Sequence, residues 1–475
     1  MSDLQDAAHQ LSEARKRISD AARPDIVRRI KDSGQMTARQ RIAALLDPGS
    51  EVEFGSIAAA TTQGEWVPEP GGVDFVGTIA GQPVIASSTD YTDHGGGYGA
   101  GRLGRLFATA YEHRWPVILF VDGGGSRAQH PRTGMGHIET SGVIGRFSFL
   151  DGLPELNGWV PTISIVSGPA FAGHASLAGM SDFLISTPGS SIGMGGPPMV
   201  EAALGHRLTP NELAGAEMHD LGGGIDLLVA DEAEAIDAAK RYLDFYSQPS
   251  ITGQAAEQTD LSNPPQVAEI IRSIVDEDSQ FELRPNFAPS LVTLLARVNG
   301  HSVGVLANNR GVEEGAITQN AATKISRFVE LCNTYEYPII SLIDTPGCTV
   351  QPRRKKQQDP APESIAGLNR WHTRALLAHQ QRTVPLIAIQ TGRSGGLAGS
   401  LMTGASTTRG VPLMKLGWPD VEMGRRDGFC VIVDHNAFDD IILPEESRSR
   451  VVRLLNLVRQ PSRQRDEKKH WIDLW

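Results

Sequence analysis

The chain has 475 residues, 40% hydrophobic and 21% charged, and this length exceeds what a single hydrophobic core usually organises. Its formal net charge of −11 argues against general nucleic-acid binding, while leaving room for a local basic pocket for an anionic small molecule. The three cysteines, Cys332, Cys348 and Cys430, show neither disulfide nor zinc spacing, which indicates a reducing compartment and no metal site.

The N-terminal segment, residues 1–25, has the pattern of a charged amphipathic helix rather than that of a signal peptide. The sequence contains no run of about 18 apolar residues, which is the length that a membrane-spanning helix needs. We therefore expect a cytoplasmic protein that has no membrane partner.

Two glycine-rich loops occur in the first half of the chain. The loop "DYTDHGGGYGAGRLGRL" (90–106) runs into a helix pattern that carries Arg105 and would suit a phosphate group, although such loops also form plain turns. The segment "VDGGGSRAQHP" (121–131) places three glycines after a predicted strand. Backbone N–H groups at both loops could line a ligand.

The segment "VSGPAFAGHASLAG" (166–179) leaves the apolar strand "TISIV" through small residues and enters a helix directly. The first N–H groups of a helix have no intrahelical partner, and together with the helix dipole they suit a negative oxygen. Fixed donors of this kind accelerate enolate formation, and small residues let the oxygen approach the backbone. The alternative is that glycine and alanine only allow the helix to pack closely on the sheet.

The chain repeats itself. Residues 161–180 align without a gap with residues 385–404, and residues 115–125 resemble residues 337–347. Two earlier pairs of segments match in the same order, which indicates two related halves. Because each copy of the small-residue turn follows a similar strand, the duplication favours one oxyanion site in each half.

Strand patterns alternate with helix patterns in both halves, which predicts an α/β fold with a separate core in each half. The segments 102–114 and 322–335 have helical periodicity. The polar, proline-rich stretch 247–265 has the composition of a linker. We therefore predict an N-terminal domain at 1–246 and a C-terminal domain at 266–475.

From "TARQRIAALLDPGS" (37–50) to "WPDVEMG" (418–424), these segments resemble the carboxyltransferase (β) subunit of biotin-dependent acyl-CoA carboxylases, the propionyl-CoA carboxylase group. The resemblance implies two tandem crotonase-like domains, with acyl-CoA on the N-terminal side and biotin on the C-terminal side. It implies carboxyl transfer between carboxybiotin and the α-carbon of an acyl-CoA thioester through an enolate. The biotin would belong to a partner, a biotin carboxylase or biotin carboxyl carrier subunit, and the chain would form a homodimer or hexamer.

The same resemblance assigns site residues. The oxyanion pair for the thioester falls on Ala172 and Gly173, and the pair for biotin falls on Gly396 and Leu397. In that family the freed biotin nitrogen can act as the base, which would explain why no side-chain base is evident. The substrate-binding positions implied are Gly124, Gly125, Arg105, Arg127 and Gly399, the last near a position that tunes the size of the acyl group.

The chain departs from the family pattern at several positions. Ala172 replaces a glycine, and His174 stands where a small residue is usual. A second hypothesis is therefore a biotin-independent decarboxylase, hydrolase or acyltransferase that uses His174 as acid or base. A third is a non-catalytic scaffold paralogue. The basic cluster at 353–356 is interpreted as a solvated loop, with an acidic partner or a CoA phosphate as the alternative.

Overall fold

The computed structural model describes residues 2–60, 66–68, 71–92, 94–96, 100–124, 147, 150–247, 265–348, 362–404, 410–419, 421, 438–458, 467–468 and 471–473. The chain divides into two compact units, of which the first covers Met1–Leu243 and the second Asp244–Asp473. Most of the predicted linker, residues 248–264, lies outside the described residues. Each unit is described by itself below.

The described helices, in chain order, have the following bounds. The first unit contains α1 (Ser2–Arg17), α2 (Pro24–Asp32), α3 (Ala38–Leu45), α4 (Ala100–His113), α5 (Gly152–Leu156), α6 (Gly173–Gly179), α7 (Pro197–Leu204), α8 (Pro210–Ala214), α9 (Ala216–Gly222) and the start of α10 (Glu232–Tyr246). The second unit contains α11 (Val267–Ile274), α12 (Gln319–Tyr335), α13 (Pro362–Gln381), α14 (Gly396–Thr403) and α15 (Ser447–Leu455). Within this part of the chain, no helix has the length and apolar composition needed to cross a membrane.

The described strands follow the same division. The first unit contains β1 (Val52–Glu53), β2 (Ile57–Ala60), β3 (Trp66–Pro68), β4 (Gly72–Ile79), β5 (Gln82–Thr89), β6 (Val117–Phe120), β7 (Thr162–Val166), β8 (Pro169–Phe171), β9 (Phe183–Ser186), β10 (Ser191–Gly193) and β11 (Leu227–Leu228). The second unit contains β12 (Phe281–Glu282), β13 (Leu291–Val298), β14 (His301–Asn308), β15 (Ile339–Thr345), β16 (Leu386–Ser394), β17 (Met414–Gly417) and β18 (Asp440–Ile441).

Each unit builds one seven-stranded sheet, and the two sheets have the same plan. The strand orders are β1-β4-β5-β6-β7-β9-β11 and β12-β13-β14-β15-β16-β17-β18. In both sheets the first two pairings are antiparallel and the remaining four are parallel. The predicted α/β class is therefore confirmed.

The strand register is also the same in the two units. In the first sheet, Val117 of β6 pairs with Thr162 of β7. In the second sheet, Ile339 of β15 pairs with Leu386 of β16, and these are the residues that the sequence repeat aligns with Val117 and Thr162. Because a slip of one residue would turn every side chain to the other face, a shared register confirms that the halves are copies of one fold.

The core of the first unit shows why these segments form these elements. All five residues of β7 are buried, as a continuous apolar run predicts for a parallel strand covered on both faces. On α4, Leu103, Leu106 and Phe107 share one face at helical spacing and join the same hydrophobic cluster. The helices predicted at 102–114 and 322–335 correspond to α4 and α12.

Candidate active site

The first small-residue turn joins β8 to α6. Ala172 lies in this turn with a φ of 53° and a ψ of −118°, a conformation that alanine rarely adopts. Its N–H group donates to the carbonyl oxygen of Gly193 in β10 at 3.0 Å. The N–H group of Gly173, the first residue of α6, has no acceptor within the described part of the chain. Of the predicted pair Ala172 and Gly173, Gly173 thus supplies the open donor.

The second turn, between β16 and α14, also has a residue with positive φ at its start. Gly396 has a φ of 52°, close to the 53° of Ala172 in the first turn. The N–H groups of Gly396 and Leu397 have no acceptor among the residues that the structure describes, and both residues are exposed. The second turn therefore presents two open donors at the start of a helix, where the helix dipole favours negative charge.

A matching hydrogen bond fixes each turn to the strand next to it. Phe171 donates its N–H to the carbonyl oxygen of Gly123 at 2.9 Å in the first unit. Gly395 donates to the carbonyl oxygen of Thr345 at 3.1 Å in the second unit. The repeat thus preserves both this hydrogen bond and the positive φ of the residue that follows it.

The glycine loops of the first unit pack against the turn through their backbones. Gly123 donates its N–H to the carbonyl oxygen of Pro169 at 2.6 Å, and Gly124 donates to that of Gly95 at 2.9 Å. The N–H group of Gly124, a predicted substrate contact, is therefore engaged within the protein. The predicted contacts Gly125 and Arg127 lie outside the described residues, as does the basic cluster at 353–356.

His174 joins three segments of the first unit. Its Nε2 lies 2.9 Å from the carbonyl oxygen of Gly96 and, because a carbonyl can only accept, Nε2 carries the proton and donates it. A Cβ at Gly123 would overlap the imidazole ring, so the ring packs on the backbone of that loop. Burial lowers the pKa of His174 below its usual value although the Gly96 carbonyl opposes the shift, and the side chain is 5% exposed. A buried, neutral imidazole in this position holds loops together.

Two other predicted positions have packing contacts in the structure. Arg105 is exposed on α4, and its guanidinium carbon lies 5.2 Å from the centre of the Phe54 ring, beside the edge strand β1. Gly399 is buried in α14, where an added Cβ would overlap Oγ of Ser394. Glycine at 399 lets α14 pack on the end of β16, and its role in acyl-group size remains a prediction.

The sequence analysis missed a buried charged cluster behind the first turn. Asp122 is the second residue after the end of β6. Its Oδ1 accepts the N–H groups of Ser167 and Gly168 at 3.0 and 2.8 Å. Arg41 of α3 pairs with the other oxygen of Asp122. A signal for the aspartate exists, since the repeat places Asp122 and Asp344 at the same position. Within the described residues, no group of three or more His, Cys, Asp or Glu side chains could hold a metal ion.

Comparison with known proteins places this arrangement in a family. Residues 29–424 match the family model of the carboxyl transferase domain. The chain belongs to the carboxyl transferase domain family. As a member of the carboxyl transferase domain family, it is an enzyme that transfers carboxyl groups.

Individual relatives of this carboxyl transferase domain span its length. The chain is 28% identical to the methylmalonyl-CoA carboxyltransferase 12S subunit of Propionibacterium freudenreichii subsp. shermanii, over 99% of this chain and 97% of that protein. It is 25% identical to the propionyl-CoA carboxylase carboxyltransferase subunit of Haloferax mediterranei, over 98% of this chain and 99% of that protein.

Solved structures agree with this assignment. The crystal structure of transcarboxylase 12S with methylmalonyl-CoA and methylmalonic acid bound superposes with a TM-score of 0.81 at 25% identity, covering 98% of this chain and 99% of that chain. A single-chain, multi-domain long-chain acyl-CoA carboxylase gives a TM-score of 0.80 at 30% identity and covers 96% of this chain. This chain spans about half the length of that carboxylase, 49%. The predicted crotonase-like fold of carboxyltransferases is thereby confirmed.

Proposed function

We propose that this enzyme transfers a carboxyl group between carboxybiotin, carried by a partner chain, and the α-carbon of an acyl-CoA thioester. The observation that carries the proposal is the repeated left-handed turn that opens a helix in each unit. The turns present the N–H group of Gly173 in one unit and those of Gly396 and Leu397 in the other. The relatives named as methylmalonyl-CoA and propionyl-CoA enzymes support acyl-CoA as the substrate class.

The first turn would act on the thioester. When the proton leaves the α-carbon of the acyl-CoA, its C–H electrons move toward the carbonyl and negative charge develops on the thioester oxygen. The Gly173 N–H group and the N-terminal end of α6 would stabilise this charge. The Ala172 N–H group is held by Gly193, so Ala172 acts mainly by setting the direction of the Gly173 N–H group. The enolate carbon then forms the new C–C bond to the carboxyl group.

The second turn would act on the carboxyl donor. A biotin carboxylase or biotin carboxyl carrier subunit would supply the carboxybiotin. Its N–C bond would break to release carbon dioxide for the enolate carbon, and the bond electrons would stay on the ureido group, whose nitrogen can take the substrate proton. The N–H groups of Gly396 and Leu397 fit the ureido oxygen, since two adjacent donors at the start of α14 suit a single oxygen that gains negative charge. We propose further that both turns serve one reaction in a homo-oligomer, for which the hexamer assembly of the transcarboxylase 12S structure gives support.

The hypothesis of a biotin-independent enzyme that uses His174 is not favoured. The Nε2 proton of His174 is donated to Gly96, and burial keeps the imidazole neutral. An acid or base must reach the substrate within hydrogen-bonding distance, directly or through one water molecule. The geometry of His174 instead supports a role in positioning.

The proposal is tested by carboxyl transfer from methylmalonyl-CoA or malonyl-CoA to free biotin, with the CoA product followed by mass spectrometry. Gly173→Pro removes the open donor at the first position of α6. We expect kcat to fall by about 100-fold or more. Gly179→Ala is the control, because it lies at the far end of the same helix and a Cβ there meets nothing within 4 Å.

Two results would contradict the proposal. One is an unchanged rate of carboxyl transfer in Gly173→Pro, which would show that the first turn takes no part in the reaction. The other is decarboxylation or thioester hydrolysis by the native protein without any carboxyl transfer to biotin, which would restore the biotin-independent hypothesis. Circular dichroism and the oligomeric state of each variant show whether a loss of activity reflects a loss of the fold.

A further inference from the structure

A buried cluster of three charged side chains lies behind the first turn. Nη2 of Arg41 is 2.7 Å from Oδ2 of Asp122, and its Nε donates to Oε1 of Glu232 at 3.0 Å. The Arg41 side chain is 5% exposed, and those of both carboxylates are 4% exposed. The guanidinium also lies 5.5 Å from the centre of the Phe120 ring. One planar cation therefore neutralises two buried carboxylates.

Asp122 connects the charged cluster to the corner between β7 and β8 through hydrogen bonds. Its Oδ1 accepts the N–H groups of Ser167 and Gly168, the two residues that separate those strands. The corner has a second hydrogen bond, in which the Gln35 side chain donates to the carbonyl oxygen of Ser167 at 2.7 Å. β8 begins at Pro169 and leads directly to the turn. The Asp122 carboxylate thus holds the two residues from which β8 continues.

The positive charge of Arg41 is needed to keep the Asp122 carboxylate ionised and in place beside Glu232. Although burial lowers the pKa of Arg41, the charges of Asp122 and Glu232 raise it above its usual value. Without a cation, two carboxylates would share a dry space, and one of them would take up a proton or turn toward water. Either change would weaken the bonds from Asp122 to Ser167 and Gly168.

The second unit also pairs its repeated aspartate with an arginine, but the arginine differs and the Glu314 partner is exposed. Asp344, which the repeat aligns with Asp122, accepts the N–H group of Arg393 and also its Nε, at 3.0 and 3.2 Å. Nη1 of Arg393 pairs with Glu314 at 2.8 Å. Each unit therefore ties its repeated aspartate to an arginine that also binds a glutamate. The first unit takes that arginine from α3, far from the turn in sequence.

We infer that Arg41 is a positioning residue for carboxyl transfer, which acts through Asp122 on the direction of the Gly173 N–H group. The inference rests on the proposed function of the first turn. Arg41 itself does not touch the substrate in this scheme. Its effect should appear in the chemical step, because a misdirected donor stabilises the enolate less while leaving the rest of the binding surface intact.

The test compares Arg41→Lys and Arg41→Met with the native chain. Lysine keeps the charge but, as a point charge, cannot bridge Asp122 and Glu232 as a planar fork does. For Arg41→Met we expect kcat to fall by about 30-fold with KM changed less than about threefold, and for Arg41→Lys about a tenfold fall in kcat. Hydrogen exchange of the amides of Ser167 and Gly168 should accelerate in the same order.

Asp182→Asn is the matched control for stability. Asp182 is fully buried, and it accepts the N–H group of Thr162 at 2.9 Å, at the opposite end of β7 from the turn. We expect this variant to lower the melting temperature while leaving kcat and the exchange of Ser167 and Gly168 close to native values. It thus separates loss of stability from loss of positioning.

The outcomes are distinct. If kcat of the Arg41 variants falls only as far as that of Asp182→Asn at equal melting temperature, Arg41 is merely structural and the inference is overturned. Unchanged exchange at Ser167 and Gly168 in Arg41→Met overturns it as well. If the native chain transfers no carboxyl group, the proposed function fails, while the exchange measurement still decides whether Arg41 positions the corner.

Discussion

Ala172 and Gly396 occupy corresponding positions of the two turns, and both have a positive φ, 53° and 52°. Glycine reaches this region without steric cost, whereas another residue held there is strained by about 1–3 kcal/mol. The first turn is therefore strained and the second is relaxed, although both open a helix in the same way.

This difference predicts that Gly396→Ala and Ala172→Gly change the free energy of unfolding in opposite directions. Gly396→Ala should lower the free energy of unfolding by about 1–2 kcal/mol, because its Cβ meets nothing within 4 Å and only backbone strain is added. Ala172→Gly should raise it by at most about 1 kcal/mol, since glycine also gains entropy in the unfolded chain. Urea unfolding measures both. Gly179→Ala, at an unstrained helix end, is the control. A loss of unfolding free energy in Gly179→Ala equal to that in Gly396→Ala would refute the strain argument.

The role of His174 can be separated from acid–base catalysis by two substitutions. Gln retains a side-chain N–H group for the Gly96 carbonyl, whereas Phe retains only the ring that packs on Gly123. We expect His174→Gln to keep kcat within about fivefold of the native value, and His174→Phe to lose about tenfold or more. Equal, near-complete loss in both variants would instead point to proton transfer by the imidazole.

Gly95 and Gly96 form a matched pair in the loop that His174 holds. Both have positive φ, 68° and 75°, but a Cβ at Gly95 meets nothing within 4 Å while one at Gly96 would overlap the carbonyl oxygen of Asp122. Gly95→Ala should cost about 1 kcal/mol of unfolding free energy, from strain alone. Gly96→Ala should cost about 3 kcal/mol or more, because the backbone must also move. Similar melting temperatures for the two variants would contradict this packing.

Glu330 should give the second unit a distinct pH dependence. Burial raises the pKa of this α12 carboxyl to about 7, against the opposing charges of Arg374 and Arg327. The folded state therefore retains a proton that the unfolded chain releases, and the contribution of Glu330 to stability falls as the pH rises from 5 through 7.

Glu330→Gln stays neutral and keeps an oxygen that can accept the N–H group of Asp473, which Glu330 binds at 2.8 Å. This variant should be more stable than the native chain at pH 8 by about 1–3 kcal/mol, and equally stable at pH 4.5. Urea unfolding at the two pH values measures the difference. A constant difference at both pH values would show that Glu330 does not titrate in this range.

Local sequence signals predicted much of the fold and of the turns. The gapless repeat placed β7 and β16 in equivalent positions, and the small residues after them marked where α6 and α14 begin. Such features could be predicted because each depends on neighbouring residues: an apolar run for a strand, helical spacing for α4, and glycine at a left-handed position.

The partners of the turn residues could not be predicted in the same way. The bond from the Ala172 N–H group to Gly193 depends on the pairing of β8 with β10, and the pairing of short strands leaves no local signature. The ion pair between Arg41 and Glu232 joins residues 191 positions apart. A single charged residue on a helix gives no indication that it is buried, so this cluster becomes visible only in three dimensions.

The Arg41 cluster has a consequence for the order in which the first unit assembles. Its members come from α3, from the segment after β6 and from the first residue of α10. Contacts between distant parts of a chain form late because loop closure must precede them. During synthesis, the turn at Ala172 leaves the ribosome before Glu232 does. The segments of β7 and β8 are therefore made before the Glu232 carboxylate that pairs with Arg41. Under the positioning role proposed for Arg41, the donor geometry at Gly173 is complete only once Glu232 of the last helix is in place.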